Sequence, residues 1–339
     1  MKHLIYPFIL ALILLSCKEK PPIKASEVNY LEEASIEMLD SELNKIMDTE
    51  QKIEILAEGH DWTEGPLWLE SEQSLLYSDI PRNTVYSWNA DTGVKEYLKP
   101  SGFVGDNFQG SEPGSNGLLL NHDEELVLCQ HGDRRVVKMN SSLSDPKPEF
   151  TILADHYLGK RFNSPNDAVF DKAGNLYFTD PPYGLPKVME DPEKELDFQG
   201  VFRLDTTGAY QLISKELTRP NGIAFSPDEA TLYVANSDPE KAIWMEYDLD
   251  ESGKVSSEKL FFDATHLVKL EKGLPDGLKV NGKGYIFATG PGGVFIFSPA
   301  GKHLGSIKTG QATSNCAFNA DESVLFMTAD SYVLRVSLK

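Results

Sequence analysis

Four short stretches of the chain each place an oxygen-bearing side chain before a Gly or Asp and then an apolar run: Glu64 in TEGPLW, Asn166 in SPNDAV, Asn221 in RPNGIAF and Asp276 in LPDGLKV. Two carboxylates and two carboxamides, without sulfur or imidazole, suit a hard divalent cation such as calcium or magnesium better than a soft one. A single Asn-Gly or Asp-Gly pair is ordinarily a turn. These four differ because each leads directly into a strand-like run, so neighbouring runs would make their leading side chains converge. Gathering two carboxylates at one point is unfavourable unless a cation sits between them.

The elements that would position them are legible in the same stretches. From Asn163 to Gly184 the sequence NSPNDAVFDKAGNLYFTDPPYG has the form of two short antiparallel strands joined by a turn. Similar segments begin at Glu64, Asn116, Asn221, Asp276 and Asn315, so six copies follow one another at steps of 52, 50, 55, 55 and 39 residues. Steps near fifty residues suit four-stranded propeller blades, which bury both faces only when arranged in a ring. The expected fold is all-β, a six-bladed β-propeller over residues 34–339, with the repeat-leading side chains gathered at one mouth of its channel. Asn116 shares the repeat position but lies in a stretch, Gly110 to Gly117, rich in turn residues. Asn315 is followed by Cys316 instead of Gly or Asp and is expected to be structural. Ahead of the first repeat, Ile36, Leu39, Leu43 and Ile46 recur at helical spacing, predicting a short amphipathic helical segment over Ala34 to Met47 packed on the rim. Lys52 to Ala57 has the pattern of a strand leading into the first repeat.

Residues 1–16 carry Lys2 and the apolar run Leu4 to Leu15, too short to span a bilayer permanently and shaped like a secretory signal. The ending Leu14, Leu15, Ser16, Cys17 resembles a bacterial lipobox, which would make Cys17 the lipidated first residue of the mature chain. Residues 17–33 then form a tether rich in Lys, Glu, Pro and Ser. The expectation is a domain in the cell envelope, held to a membrane through this anchor alone. Fifty-two acidic against 32 basic residues, a net charge of −20, argue against nucleic acid and anionic membrane surfaces as partners. Cys129 and Cys316 fall in repeats that would not adjoin, so buried free thiols are expected instead of a disulfide. Neither a CxxC nor an HExxH spacing occurs, which removes the common cysteine and zincin zinc sites.

Together, TEGPLW, FNSPNDAV, TDPPYG, RPNGIAF and LPDG resemble the SMP-30/gluconolactonase family of six-bladed propellers, with a wider likeness to paraoxonase-type lactonases, from about Ile36 to Lys339. The resemblance implies that Glu64, Asn221 and Asp276 are side-chain ligands of one divalent metal, calcium first, with magnesium, manganese or zinc as alternatives. It implies that Asn166 lies beside the metal, binding substrate or a metal-bound water. The implied reaction is hydrolysis of a small sugar lactone to its aldonate, with the metal polarising the carbonyl and Asp276 assisting water attack. Animal members carry Arg two residues before the Asn that matches Asn166. Here that position is Ser164, with Arg161 upstream, a pattern closer to bacterial members. Substrate contacts are expected from Asn166, Asn116, His131 in CQHGDRR, which is equally well read as a base or as structural, and Tyr183 in TDPPYG, with Asp180 lining the pocket beside it, while Arg134 and Arg135 are equally well read as solvated. A noncatalytic binding propeller and a related metal-dependent esterase or phosphotriesterase are the competing readings.

Overall fold

Each repeat becomes the two inner strands of a four-stranded antiparallel sheet, because its paired apolar runs are joined by turns too short for any other connection. The computed structural model describes residues 28–339 and contains six blade sheets, five of four strands and one of five, beside a two-stranded ribbon formed by His156–Tyr157 and Lys160–Arg161. The signal-like segment, Cys17 and the tether up to residue 27 lie outside the described residues. The inner strand of every blade packs against the next, and that of the sixth against the first, which closes a six-bladed β-propeller. The first blade, for instance, runs through Thr63–Leu69, Ser74–Asp79, Thr84–Asn89 and Gly93–Leu98.

Second strands are buried throughout in three blades, at Leu126–Gln130, Leu176–Asp180 and Ile286–Gly290, and in the other three at all but their ends. A blade is covered on both faces, so these strands are continuous apolar runs without the two-residue alternation of a half-solvated sheet. The core is accordingly divided between blades. One cluster joins Leu69, Leu76 and Val85 of the first blade to Leu118, Leu128 and Val137 of the second.

Ring closure uses both ends of the described chain. The strand Glu54–Ala57 pairs with Tyr332–Ser337, so the sixth blade combines one N-terminal strand with Thr313–Phe318, Val324–Ala329 and Tyr332–Ser337. The strand expected over Lys52 to Ala57 is therefore present, and it completes the last blade.

The segment Ala34 to Met47 departs from expectation. Ser35–Met38 is a strand paired with His303–Lys308, a fifth strand on the fifth blade, and only Ser41–Lys45 is helical, as a 3-10 turn. Asp40 caps that turn by accepting from the Glu42 N–H at 2.9 Å. Leu43, Ile46 and Met47 are buried beside Leu304 and Ile307, whereas Leu39 is exposed. The outer strand of the fifth blade offers unpaired backbone groups, and Gly305 lets Ser35–Met38 approach so closely that a Cβ there would lie 2.2 Å from the Glu37 carbonyl oxygen. Pairing outcompetes a helix that would leave that edge open.

Candidate functional site

Register slips mark the mouth of the channel. Four of the six inner strands shift pairing between Glu64 and Leu67, Ser115 and Leu118, Pro220 and Ile223, and Thr313 and Asn315. A bulge of this kind re-aims a side chain out of the strand's regular alternation, and here it re-aims Glu64, Asn116, Asn221 and Asn315. In the other two blades, Asn166 and Asp276 stand two residues before the strands Ala168–Phe170 and Leu278–Val280. The glycine after the ligand position is a packing requirement. At Gly65 (φ +51) an added Cβ would lie 2.1 Å from the Asn116 carbonyl oxygen, and at Gly222 it would lie 2.3 Å from that of Asp276. Hydroxyls on second strands then grip the neighbouring blade: Ser78 donates to the Asn116 carbonyl at 2.9 Å, Thr179 to that of Asn221 at 2.6 Å, and Ser237 to that of Pro275.

These contacts build a cavity of about 600 Å³ onto which Glu64, Asn116, Asn166, Asn221 and Asp276 all face. Glu64 Oε2 accepts from the Gly65 N–H at 2.8 Å and the Asn315 Nδ2 at 3.2 Å. Asn221 Nδ2 donates to Ser237 Oγ at 3.0 Å, which leaves its carbonyl oxygen as the atom available to a ligand. Oδ1 of Asn116, of Asn166 and of Asp276 are buried without a hydrogen-bond partner. Burial pushes the Glu64 carboxyl up to about 7, with the Asp167 charge adding to the rise. Burial likewise raises Asp276 well above the usual carboxylate range, reinforced by the charges of Glu64, Asp167 and Glu112.

Orphaned oxygens and strained carboxylates call for positive charge, since each buried acceptor left unmet costs roughly 1–3 kcal/mol. The donor set fits a hard divalent cation held by Glu64, Asn221 and Asp276 with Asn166 alongside. Among the described residues no cluster of three or more His, Cys, Asp and Glu side chains forms a metal site, so a cation here would depend on amide oxygens as well as two carboxylates.

The remaining predicted residues divide. Tyr183 lines the cavity, and burial pushes its phenol upward. Ser164, the position of the animal arginine, anchors Tyr183's turn: its Oγ donates to the Pro181 carbonyl at 2.6 Å and accepts from the Gly184 N–H at 2.9 Å. Asp180 is off the cavity, accepting from the Asn163 and Ser164 N–H groups at 2.8 Å each. Arg134 Nε donates to the Phe162 and Asn163 carbonyls, and Arg135 reaches Gln130 and Asp133, so both arginines brace loops. His131 is fully buried and does not line the cavity. Its Nδ1 lies 2.8 Å from Oε2 of Glu112, which does. Cys129 and Cys316 are buried free thiols.

Sequence reasoning missed Glu112, Ser237, Trp62 and Lys272, all on the cavity. Ser237 had a signal, since ANSD ends its second strand as FTD ends that of Thr179. Glu112 had none beyond its place in the turn-rich stretch before Asn116.

Comparison with known proteins bears on the family and the fold. Residues 62–331 match the family model described as the SMP-30/Gluconolactonase/LRE-like region. The chain is 42% identical over 305 residues to a gluconolactonase of Zymomonas mobilis, covering 88% of this chain and 84% of that one. A gluconolactonase structure from Xanthomonas campestris superposes with a TM-score of 0.79 at 28% identity, covering 94% of this chain and 99% of the other. A calcium-binding regucalcin from Agrobacterium tumefaciens shares the fold at 18% identity and a TM-score of 0.65, covering 84% of this chain and 94% of that one.

Proposed function

The chain belongs to the SMP-30/gluconolactonase/LRE-like family, and from that premise we propose that it hydrolyses a sugar lactone to the aldonic acid with one divalent cation, calcium first, at the mouth of the propeller channel. The observation that carries the cation is the meeting of two carboxyls raised by burial, Glu64 and Asp276, on one cavity, with Asp276 Oδ1 unpartnered and the Asn221 carbonyl oxygen open beside them. Similarity to gluconolactonases supports the substrate class.

When bound, the cation would polarise the lactone carbonyl as a Lewis acid and keep Glu64 and Asp276 ionised. Asn166 and Asn116 orient the lactone through their free carbonyl oxygens, which accept from ring hydroxyls. Tyr183, half-buried, lines one side. Asp276 assists the attack by accepting a hydrogen bond from the water and aligning it with the carbonyl carbon.

The test is a panel of aldonolactones followed by pH change, using purified protein with added calcium, magnesium, manganese or zinc, beside Asp276→Ala. Turnover by wild type alone supports the reading; a panel left at the spontaneous rate under every metal refutes it. We also propose, from the Leu14 to Cys17 pattern, that the chain acts in the cell envelope as a lipid-anchored protein. Unchanged processing and detergent partitioning of Cys17→Ala would refute that.

A further inference from the structure

We propose that Glu112 is the general base of the hydrolysis and that His131 is the residue that positions it, an inference that rests on the lactonase reading. Four carboxylates face the cavity: Glu64, Glu112, Glu271 and Asp276. Glu64 is buried, Asp276 is half-buried with its Oδ1 enclosed, and both belong to the cation's donor set, where a carboxylate engaged with a cation is a weak proton acceptor. Glu271 is turned to the rim, where Lys308 lies 3.4 Å away. Glu112 alone among the four combines a place on the cavity with a dedicated partner behind it and a side chain 30% exposed, so it can pass a proton on to solvent.

That partner is His131: its Nδ1 lies 2.8 Å from Glu112 Oε2, where a ring N–H can donate to the carboxylate, and its Nε2 is buried without a hydrogen-bond partner. Oε1 of Glu112 is thereby left for a water. The backbone beside Glu112 is pinned to two blades: Gly114 donates to the Ile80 carbonyl at 3.0 Å, and the His131 N–H donates to the Gly114 carbonyl at 3.1 Å. The Pro113 carbonyl accepts from the Phe103 N–H at 2.6 Å, so the loop that carries Glu112 is rigid where the carboxylate leaves it. Such preorganisation separates a base from a surface glutamate.

The proton balance closes on this one group. Water oxygen bonds to the lactone carbonyl carbon while its proton passes to Glu112. As the tetrahedral adduct collapses, the ring C–O bond breaks and the same proton moves to the departing ring oxygen. The product is a hydroxy acid, and Glu112 returns to its starting state. The other titratable groups facing it across the cavity are Glu64, Asp276, Tyr183, Glu271 and Lys272.

The experiment measures kcat, KM, their pH profiles and calcium affinity by calorimetry for wild type, Glu112→Gln, His131→Phe and His131→Asn, with melting curves to confirm folding. Glu112→Gln is expected to lose about 10²–10⁴-fold in kcat with KM and calcium affinity within about threefold, and to lose the acidic limb of its profile. His131→Phe, which removes the donor, is expected to move that limb to higher pH, and His131→Asn, which restores a donor, to move it back. Glu112→Gln with kcat within about threefold of wild type overturns the proposal, as does loss of calcium binding in that variant or an acidic limb that ignores His131. Failure of wild type itself on every lactone is a distinct result that removes the parent reading.

Discussion

Gly222→Ala tests whether close approach between blades, and not the identity of the ligand residues alone, sets the site. The added Cβ would stand 2.3 Å from the Asp276 carbonyl oxygen and 2.7 Å from Gly277 Cα, both backbone atoms of the neighbouring blade. Restoring ordinary contact requires about 1 Å of retreat, and overpacking of that kind costs roughly 1–3 kcal/mol. The backbone conformation of Gly222 is open to alanine, so the effect is steric. Asn221 and Asp276 sit on the two surfaces being pushed apart, and a 1 Å misplacement at a reacting centre costs on the order of 10²-fold in rate. The expected outcome is a protein that melts lower, binds calcium at least about tenfold more weakly by calorimetry, and loses about 10²-fold in kcat/KM. Gly282→Ala is the matched control, because its Cβ would meet Glu322 Oε1 at 3.6 Å, an ordinary contact. Should Gly222→Ala retain wild-type calcium affinity and kcat/KM within about threefold, the packing argument is wrong.

Stability should depend on pH in a direction set by the buried carboxylates. Without a cation, Glu64 titrates at about 7 in the folded chain against 4.5 when free, so between those values the folded state holds more protons and stability falls as pH rises, by about 3 kcal/mol at most. Calcium should reverse the trend in denaturant titrations at pH 5 and 8, and equal calcium stabilisation at both would refute the assignment of Glu64 as a ligand. Leu128→Ala, in the cluster between the first two blades, should cost about 2–5 kcal/mol in the same titrations. Its calcium affinity should stay within about threefold of wild type, and a larger loss would show the site coupled to that cluster.

What the sequence revealed and what it hid follow from the same geometry. Glu64, Asn221 and Asp276 were legible because a bulge or strand start that presents an oxygen and then lets the next blade approach needs an Asn, Asp or Glu followed by Gly, and this requirement recurs with the repeat. Ring closure was hidden, since pairing Glu54–Ala57 with Tyr332–Ser337 joins the two ends of the described chain and leaves no local pattern. Ala34 to Met47 was misjudged because a 3-10 turn buries Leu43 and Ile46 at the same spacing an α-helix would use. Glu112 was hidden for a further reason. It lies in a connection between blades, where the repeat imposes nothing and composition suggests only turns. The two kinds of residue therefore answer to different constraints. The proposed cation oxygens come from positions the propeller must fill the same way in several blades, whereas the proposed base comes from a loop that the fold leaves free. Changes in the 102–114 loop should alter rate and pH profile while calcium binding persists, and changes at the repeat positions should abolish both together.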